Sequence, residues 1–237
     1  MPQPTDRDNK VLVNKYYPNG LKEGQIYDHY IKYKKEIIDF CKNRPIILFN
    51  YFNNVNSKEI VIRLNRGKPI RLNEKNYESI ISGHTLSMSV LTSEDAYNTN
   101  EYVIDIDPGN ITSEKKIKKA AIDVADAGSI FFSKNYMITN SAHGYHIRFY
   151  MNKYVKLSKA INQIKDNLND YIKVNSLENE YDINKKGPSY KINLDLTPMY
   201  KNQGATVLYA LTRKNGLMCM DVTNTINNYN RRNSVIK

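Results

Sequence analysis

The stretch "EYVIDIDPGN", residues 101 to 110, places Asp105 and Asp107 two apart at the end of a hydrophobic run that stops at Pro108-Gly109. On a strand this spacing turns both carboxylates to one side while Ile104 and Ile106 face the other. Like charges so close repel, and a divalent cation held by oxygen donors relieves them, with Mg²⁺ or Mn²⁺ suited to phosphate chemistry. The plain alternative is a strand end that faces solvent. Asp195 shifts the balance, because "KINLDLTP" is another strand-like run ending at a proline and can reach the same sheet edge. Three carboxylates can hold two ions. Two ions bridging a nucleotide's phosphates stabilise attack of a 3′-hydroxyl and departure of pyrophosphate.

Two further stretches suit an anionic substrate. In "TNSAHGYHIRF", Asn140, Ser141 and His143 crowd a turn before Gly144, which can aim a hydroxyl, an imidazole and backbone N–H groups at phosphate oxygens. His146 falls in the strand that follows and reads as a packed histidine more than a direct ligand. In "TVLYALTRKNGL", Arg213 and Lys214 close a strand-like run before Asn215-Gly216. A guanidinium there can grip a triphosphate bidentately and a lysine can add a point charge, although an ordinary charged hairpin turn has the same composition.

The chain that must position these groups has 237 residues, 41% of them hydrophobic, enough for one substantial core or two small modules. Its 35 lysines and arginines against 24 aspartates and glutamates give a net charge of +11 spread along the sequence, which favours a polyanion partner. Nineteen tyrosines lie among those cations, a mixture suited to bases stacked between phosphates, although codon bias toward Lys, Asn, Ile and Tyr explains part of it. No stretch approaches the roughly twenty apolar residues of a membrane span and "MPQPTDRDNK" is too polar for a secretory signal, so a cytoplasmic protein with no membrane partner is expected. Cys41 and Cys219 are the only cysteines, which points to packing and away from a disulfide framework or zinc knuckle.

Periodicity predicts an irregular arm over residues 1–22, a helix from Gln25 to Cys41, and a hairpin of "PIILFNYF" and "EIVIRL" joined by "NNVNSK". "TLSMSVL" and "EYVIDID" read as strands. A helix capped by Thr112 or Ser113 carries Ile117, Ala120, Ala121 and Val124 on one face as far as Gly128. Strand, turn and strand follow in "YMITNSAHGYHIRFYM", then a helix marked by Ala160, Ile161, Ile164, Leu168 and Tyr171, and then a polar loop in "LENEYDINKKGPS". "KINLDL", "ATVLYAL" and "LMCMDV" read as strands, and residues 222–237 as a polar, basic, poorly ordered tail. Hairpins mixed with helical crossovers make an α+β protein with a mixed sheet. The main domain is expected over residues 23–221, with a sub-boundary near 92–101.

In this order, the three stretches resemble the motifs of the archaeo-eukaryotic primase superfamily: "VIDIDPG" its DxD strand, "SAHGYH" its sxH motif, and "NLDLTPMYKNQGATVLYALTRKNGL" its third carboxylate with a basic hairpin. Within it the chain is most similar to the polymerase domain of bacterial end-joining ligases, whose opening pattern is echoed by "NKVLVNKYYPNGLKEGQIYDHYIKYKKEIIDFCKNRPIILF". The resemblance spans about residues 7–221. It implies a primase-polymerase catalytic core with an RRM-like unit beside an N-terminal α/β module, and a template-directed nucleotidyltransferase that fills short gaps or extends ends and accepts or prefers ribonucleotides. By position it assigns Asp105, Asp107 and Asp195 to two metals and Ser141, His143 and Arg213 to the triphosphate, with Lys214 and Asn140 nearby. It places His84 near the sugar and gives Lys10 and Lys22 to a DNA 5′-phosphate. A DNA ligase and an end-binding protein are the implied partners. Asn140 and His143 stand where the ligase family has serine and lysine, and Arg7 where it has asparagine. A replicative primase of a plasmid, virus or mobile element, a non-catalytic nucleic-acid-binding subunit and a metal-dependent nuclease stay open as other readings.

Overall fold

The structure is a computed structural model that describes residues 6–42, 44–53, 59–63, 68–92, 97–185, 190–201 and 203–237. All but the first residue of the turn predicted at 53–58, Pro2 and Pro4 of the arm, part of the polar stretch after Thr92 and the end of the loop before Tyr190 lie outside them. The elements in chain order are β1 (Lys10–Leu12), β2 (Leu21–Lys22), α1 (Glu23–Lys32), α2 (Lys34–Cys41), β3 (Pro45–Asn53), β4 (Glu59–Arg63), β5 (Ile70–Arg71), α3 (Tyr77–Ile80) and β6 (Thr85–Val90). They continue with β7 (Asn98–Asp107), α4 (Glu114–Phe131), β8 (Tyr136–Asn140), β9 (Tyr145–Lys156), α5 (Leu157–Val174), β10 (Tyr181–Ile183), β11 (Ile192–Asp195) and β12 (Ala205–Thr206). Among the described residues no helix is long and apolar enough to cross a membrane.

Two compact units divide the chain. The first comprises Met1–Val90, Thr206–Met220 and Asn230–Lys237; the second comprises Leu91–Ala205 and Asp221–Tyr229.

In the first unit the strands run β12-β6-β3-β4, with β5 also paired to β3. Alternation along β3 and β6 puts Ile46, Leu48, Leu86, Met88 and Val90 into a core shared with Ile26, Tyr30, Ile37 and Cys41 of the helices. The single helix predicted from Gln25 to Cys41 is two helices broken at Tyr33 (φ −102°, ψ 19°), whose ring leaves the helical path to stack on Tyr209 with centroids 5.0 Å apart and planes 4° from parallel. The arm predicted to be irregular contains the β1–β2 hairpin and buries Val11, Leu12, Tyr17 and Leu21. Apolar residues separated by Pro18 and Gly20 show no period, which is why the hairpin escapes a pattern reading. "ATVLYAL" and "LMCMDV" contribute only β12 and single bridges. Tyr209 takes a left-handed backbone (φ 65°) and its N–H donates to the Cys219 carbonyl at 2.8 Å, so the apolar residues there fill a core as turns.

His29 in α1 is 7% exposed, and its Nε2 lies 2.7 Å from the Tyr209 carbonyl. Burial lowers its pKa to about 4, with the nearby Lys32 charge adding to the fall. Above pH ~6.5 the ring is neutral in folded and unfolded chains, and its full contribution is present. As pH falls toward 4 the unfolded chain takes up a proton the fold refuses, so about 3 kcal/mol of stability is lost across that window. Urea midpoints measured from pH 7 to pH 4 should therefore fall steeply in the wild type and less in His29→Gln; an identical acid limb would contradict this.

The second unit is a βαββαβ arrangement. Its sheet runs β10-β11-β7-β9-β8, antiparallel throughout except for the β10–β11 pair. The order β11-β7-β9-β8 is that of a ferredoxin-like, RRM-like unit, with α4 and α5 as its two crossovers and β10 as an added edge. β10 lies inside the segment predicted to be a polar loop. Ser113 caps α4 by accepting from Lys116 N–H, and Ile117, Ala120, Ala121, Val124 and Gly128 are buried on one face, as the spacing predicts. At Gly128 a methyl group would lie 2.1 Å from the Phe149 ring, so this helix approaches the sheet more closely than any side chain allows. Leu157, Ala160, Ile164, Leu168 and Ile172 form the buried stripe of α5. The tail predicted to be poorly ordered is packed instead. Ile226 and Tyr229 are buried in this unit, with Lys118 Nζ donating to the Tyr229 carbonyl at 2.7 Å, and Ile236 is buried in the first unit.

Candidate active site

Register decides what shares a face with the Asp-x-Asp pair. Asp105 on β7 is the direct partner of Asp195 on β11 and of His146 on β9; Asp107 is the partner of Asn193. Thr139 on β8 continues the row beyond His146. By strand alternation Asp105, Asp107, Asp195 and His146 therefore share one face, while Ile104, Ile106, Ile147 and Phe149 lie on the other with the helices. Opposed like charges such as Asp105 and Asp195 destabilise a sheet unless something else stabilises them.

The carboxylates differ in setting. Asp107 is exposed, and its Oδ1 accepts from Gly109 N–H at 3.1 Å. Asp195 Oδ1 accepts from the N–H and the hydroxyl of Thr197 at 2.8 and 2.6 Å. Asp105 is about one quarter exposed, with its Oδ1 3.5 Å from His146 Nε2. His146 is 6% exposed; burial, with the charge of Arg148 adding, lowers its pKa to about 3, so the imidazole is neutral. Behind this row lies an ion pair, Arg148 Nη1 to Glu101 Oε1 at 2.7 Å, with side chains 0% and 2% exposed. Sequence reasoning assigned His146 to packing and passed over Arg148 and Glu101. The signal was available as parity: His146 and Arg148 are two apart on a strand, as Asp105 and Asp107 are.

The turn after β8 is closed by Ser141 N–H donating to the Gly144 carbonyl at 3.0 Å and by Gly144 N–H donating to Ser141 Oγ at 3.1 Å. Ser141 is half-buried and His143 is exposed. A Cβ at residue 144 would lie 1.7 Å from the Ile106 carbonyl oxygen, so only glycine lets the turn sit against the end of β7 between Asp105 and Asp107. Gly144→Ala should cost about 1–3 kcal/mol, read as a lower urea midpoint, because a backbone atom has to move; unchanged stability would contradict the close approach. Asn140 is fully buried and pairs with Tyr145, which by alternation puts it on the face opposite the carboxylates.

The other predicted residues lie in the first unit. Arg213 and Lys214 are exposed in the turn from Thr212 to Gly216, where Gly216 (φ 69°) donates its N–H to the Thr212 carbonyl at 2.9 Å. The Arg213 guanidinium lies over the Phe49 ring, 5.2 Å from its centroid. His84 Nδ1 lies 3.4 Å from the Glu23 carboxylate. Lys10 and Lys22 are direct partners across the β1–β2 hairpin, and Lys22 Nζ lies 2.9 Å from Asp8 Oδ1.

Among the described residues no three His, Cys, Asp or Glu side chains converge as a metal cage would. The three carboxylates nonetheless fit a hard divalent cation in kind: all donors are oxygen, and two of them face each other across a strand pair.

This RRM-like unit, with an acidic row on one face of its sheet, together with the sheeted unit formed by segments on either side of it in the chain, has the α+β fold of a primase-polymerase catalytic core. A solved structure that shares it is described as the polymerase domain from Mycobacterium tuberculosis Ligase D in complex with DNA; the two superpose with a TM-score of 0.73 over 92% of this chain and 86% of that one, at 14% sequence identity. No family model matches the chain, and no curated protein matches it. At that identity the likeness is one of fold.

Proposed function

We propose that the chain is a template-directed DNA polymerase or primase-like nucleotidyltransferase that extends primers or fills short gaps during DNA repair and accepts or prefers ribonucleotides. The observation that carries this reading is the register pairing Asp105 with Asp195 on the face that also bears Asp107, in a fold shared with a polymerase domain. Asp105, Asp107 and Asp195 would hold Mg²⁺ or Mn²⁺, and a bound ion supplies charge neutralisation at the triphosphate and acidifies the attacking 3′-hydroxyl.

The chain's own residues position and orient. Neutral His146, its Nε2 3.5 Å from Asp105 Oδ1, packs beside that carboxylate and limits where it can turn. Ser141 and His143, on a turn set against the end of the same strand, offer a hydroxyl, backbone N–H groups and an imidazole to phosphate oxygens. Arg213, its guanidinium carbon 5.2 Å from the Phe49 ring centroid, is a further phosphate donor in this reading, with Lys214 beside it adding charge. DNA as the partner is favoured by the +11 net charge and by the DNA held in the structure of similar fold. A separate ligase and an end-binding protein would complete the repair.

The test is extension of a labelled primer across a short gap with Mn²⁺, supplying ribo- or deoxyribonucleotides and a downstream strand with or without its 5′-phosphate. Ribonucleotide insertion stimulated by the phosphate is the expected result. Extension indifferent to the phosphate would favour a replicative primase, no extension a non-catalytic subunit, and loss of label without nucleotides a nuclease.

A further inference from the structure

Glu23 opens α1 with a side chain only 1% exposed, a rare place for a carboxylate unless neighbouring groups satisfy it. Here the N-terminal arm does so. Asp6 N–H donates to Glu23 Oε2 at 3.1 Å, the Asn9 side-chain amide donates to Oε1, and His84 Nδ1 lies 3.4 Å from the same oxygen. The backbone repeats the attachment: Glu23 N–H donates to the Asn9 carbonyl at 3.0 Å and Gly24 N–H to the Arg7 carbonyl at 3.1 Å. Residues 6–9 are thereby laid against the start of α1.

Lys10 follows that clamped stretch directly and Lys22 precedes Glu23, and the two lysines are cross-strand partners. Two ammonium-bearing stems side by side repel, and fixing them together needs a rigid base. Asp8, inside the clamped stretch, already places a carboxylate oxygen 2.9 Å from Lys22 Nζ, so the position beside that ammonium takes an oxyanion.

We propose that Glu23, backed by His84, is a positioning residue for a phosphate-recognition site formed by Lys10 and Lys22, whose ligand is the 5′-phosphate of a nucleic-acid strand. This rests on the gap-filling reading above. The clamp removes the freedom of the arm before the ligand arrives, so binding does not have to order it. The phosphate displaces Asp8 from Lys22 and takes its place. A glutamine at residue 23 keeps the shape but presents an NH₂ group to one of the donors that now meet an oxygen, which loosens the arm.

The experiment is fluorescence anisotropy of the full chain on a gapped duplex whose downstream strand ends in a 5′-phosphate or a 5′-hydroxyl, with no nucleotide present. The wild type is expected to prefer the phosphate by about tenfold. In Glu23→Gln the preference should fall below about twofold while affinity for the hydroxyl duplex stays unchanged, matching the Lys10→Ala, Lys22→Ala double variant in its loss of preference. Asn9→Ala, which removes one side-chain tie and leaves the helix untouched, should fall between. A wild type without preference overturns the phosphate site itself. A wild-type preference that survives in Glu23→Gln overturns the positioning role and leaves the site standing. Equal weakening on both duplexes in both Glu23→Gln and Asn9→Ala also overturns it, since a merely structural role predicts that pattern.

Discussion

Asp107→Ala is expected to abolish primer extension, lowering the rate at least ~10³-fold, while the folded chain keeps its stability within about 0.5–1 kcal/mol. The asymmetry follows from where the residue sits. Asp107 is exposed at the end of β7, where its Oδ1 accepts a hydrogen bond from Gly109 N–H. Its carboxylate shares a face with Asp105 and Asp195, so removing it also removes a repulsion. A fall of that size, about 4 kcal/mol in barrier height, is what loss of a charge that holds the reacting phosphates produces. Asp195→Asn should behave alike, with an added small cost because the Asp195 oxygen also anchors Thr197. Extension by Asp107→Ala at a wild-type rate would sink the assignment.

Arg148→Met should have the largest effect on stability, about 3–5 kcal/mol, because it leaves the Glu101 carboxylate buried with its charge partner gone. For a chain of this length that corresponds to a fall in Tm of roughly 10 °C. Glu101→Gln should cost less, since an amide keeps a carbonyl oxygen for the guanidinium. The double variant Arg148→Met, Glu101→Leu should recover much of the loss, because an apolar pair of similar volume carries no desolvation cost. Thermal unfolding of the three variants separates these outcomes, and a shift under ~2 °C in Arg148→Met would show that the pair is not stabilised as its burial implies.

Strand parity made the Asp105/Asp107 pair legible, and helical spacing made the buried faces of α4 and α5 legible, because both periods are local. The meeting of Asp195 with Asp105 was only an expectation, since register between β7 and β11 is set by the whole sheet. His146 is buried, as its place in a strand suggested, but its partner was not legible for the same reason: nothing local says that β9 pairs with β7 so as to bring residue 146 to residue 105. The break at Tyr33 was invisible because Ile26, Tyr30, Ile37 and Cys41 keep a common face across it. The arm and the tail were read as loose from their polar residues and prolines, whereas Val11, Tyr17, Leu21, Ile226 and Ile236 are few, widely spaced and buried. Glu23 could not be found from sequence, because a carboxylate at the first turn of a helix is ordinarily a solvated one.

Single-nucleotide incorporation bears most directly on the central assignment: the full chain, a labelled primer on a template, one nucleotide at a time, with Mg²⁺ or Mn²⁺. The predicted result is a product one nucleotide longer, formed only with the base complementary to the template, dependent on the metal and lost in Asp107→Ala. A primer unextended under every combination, or extended regardless of the template base, would contradict it.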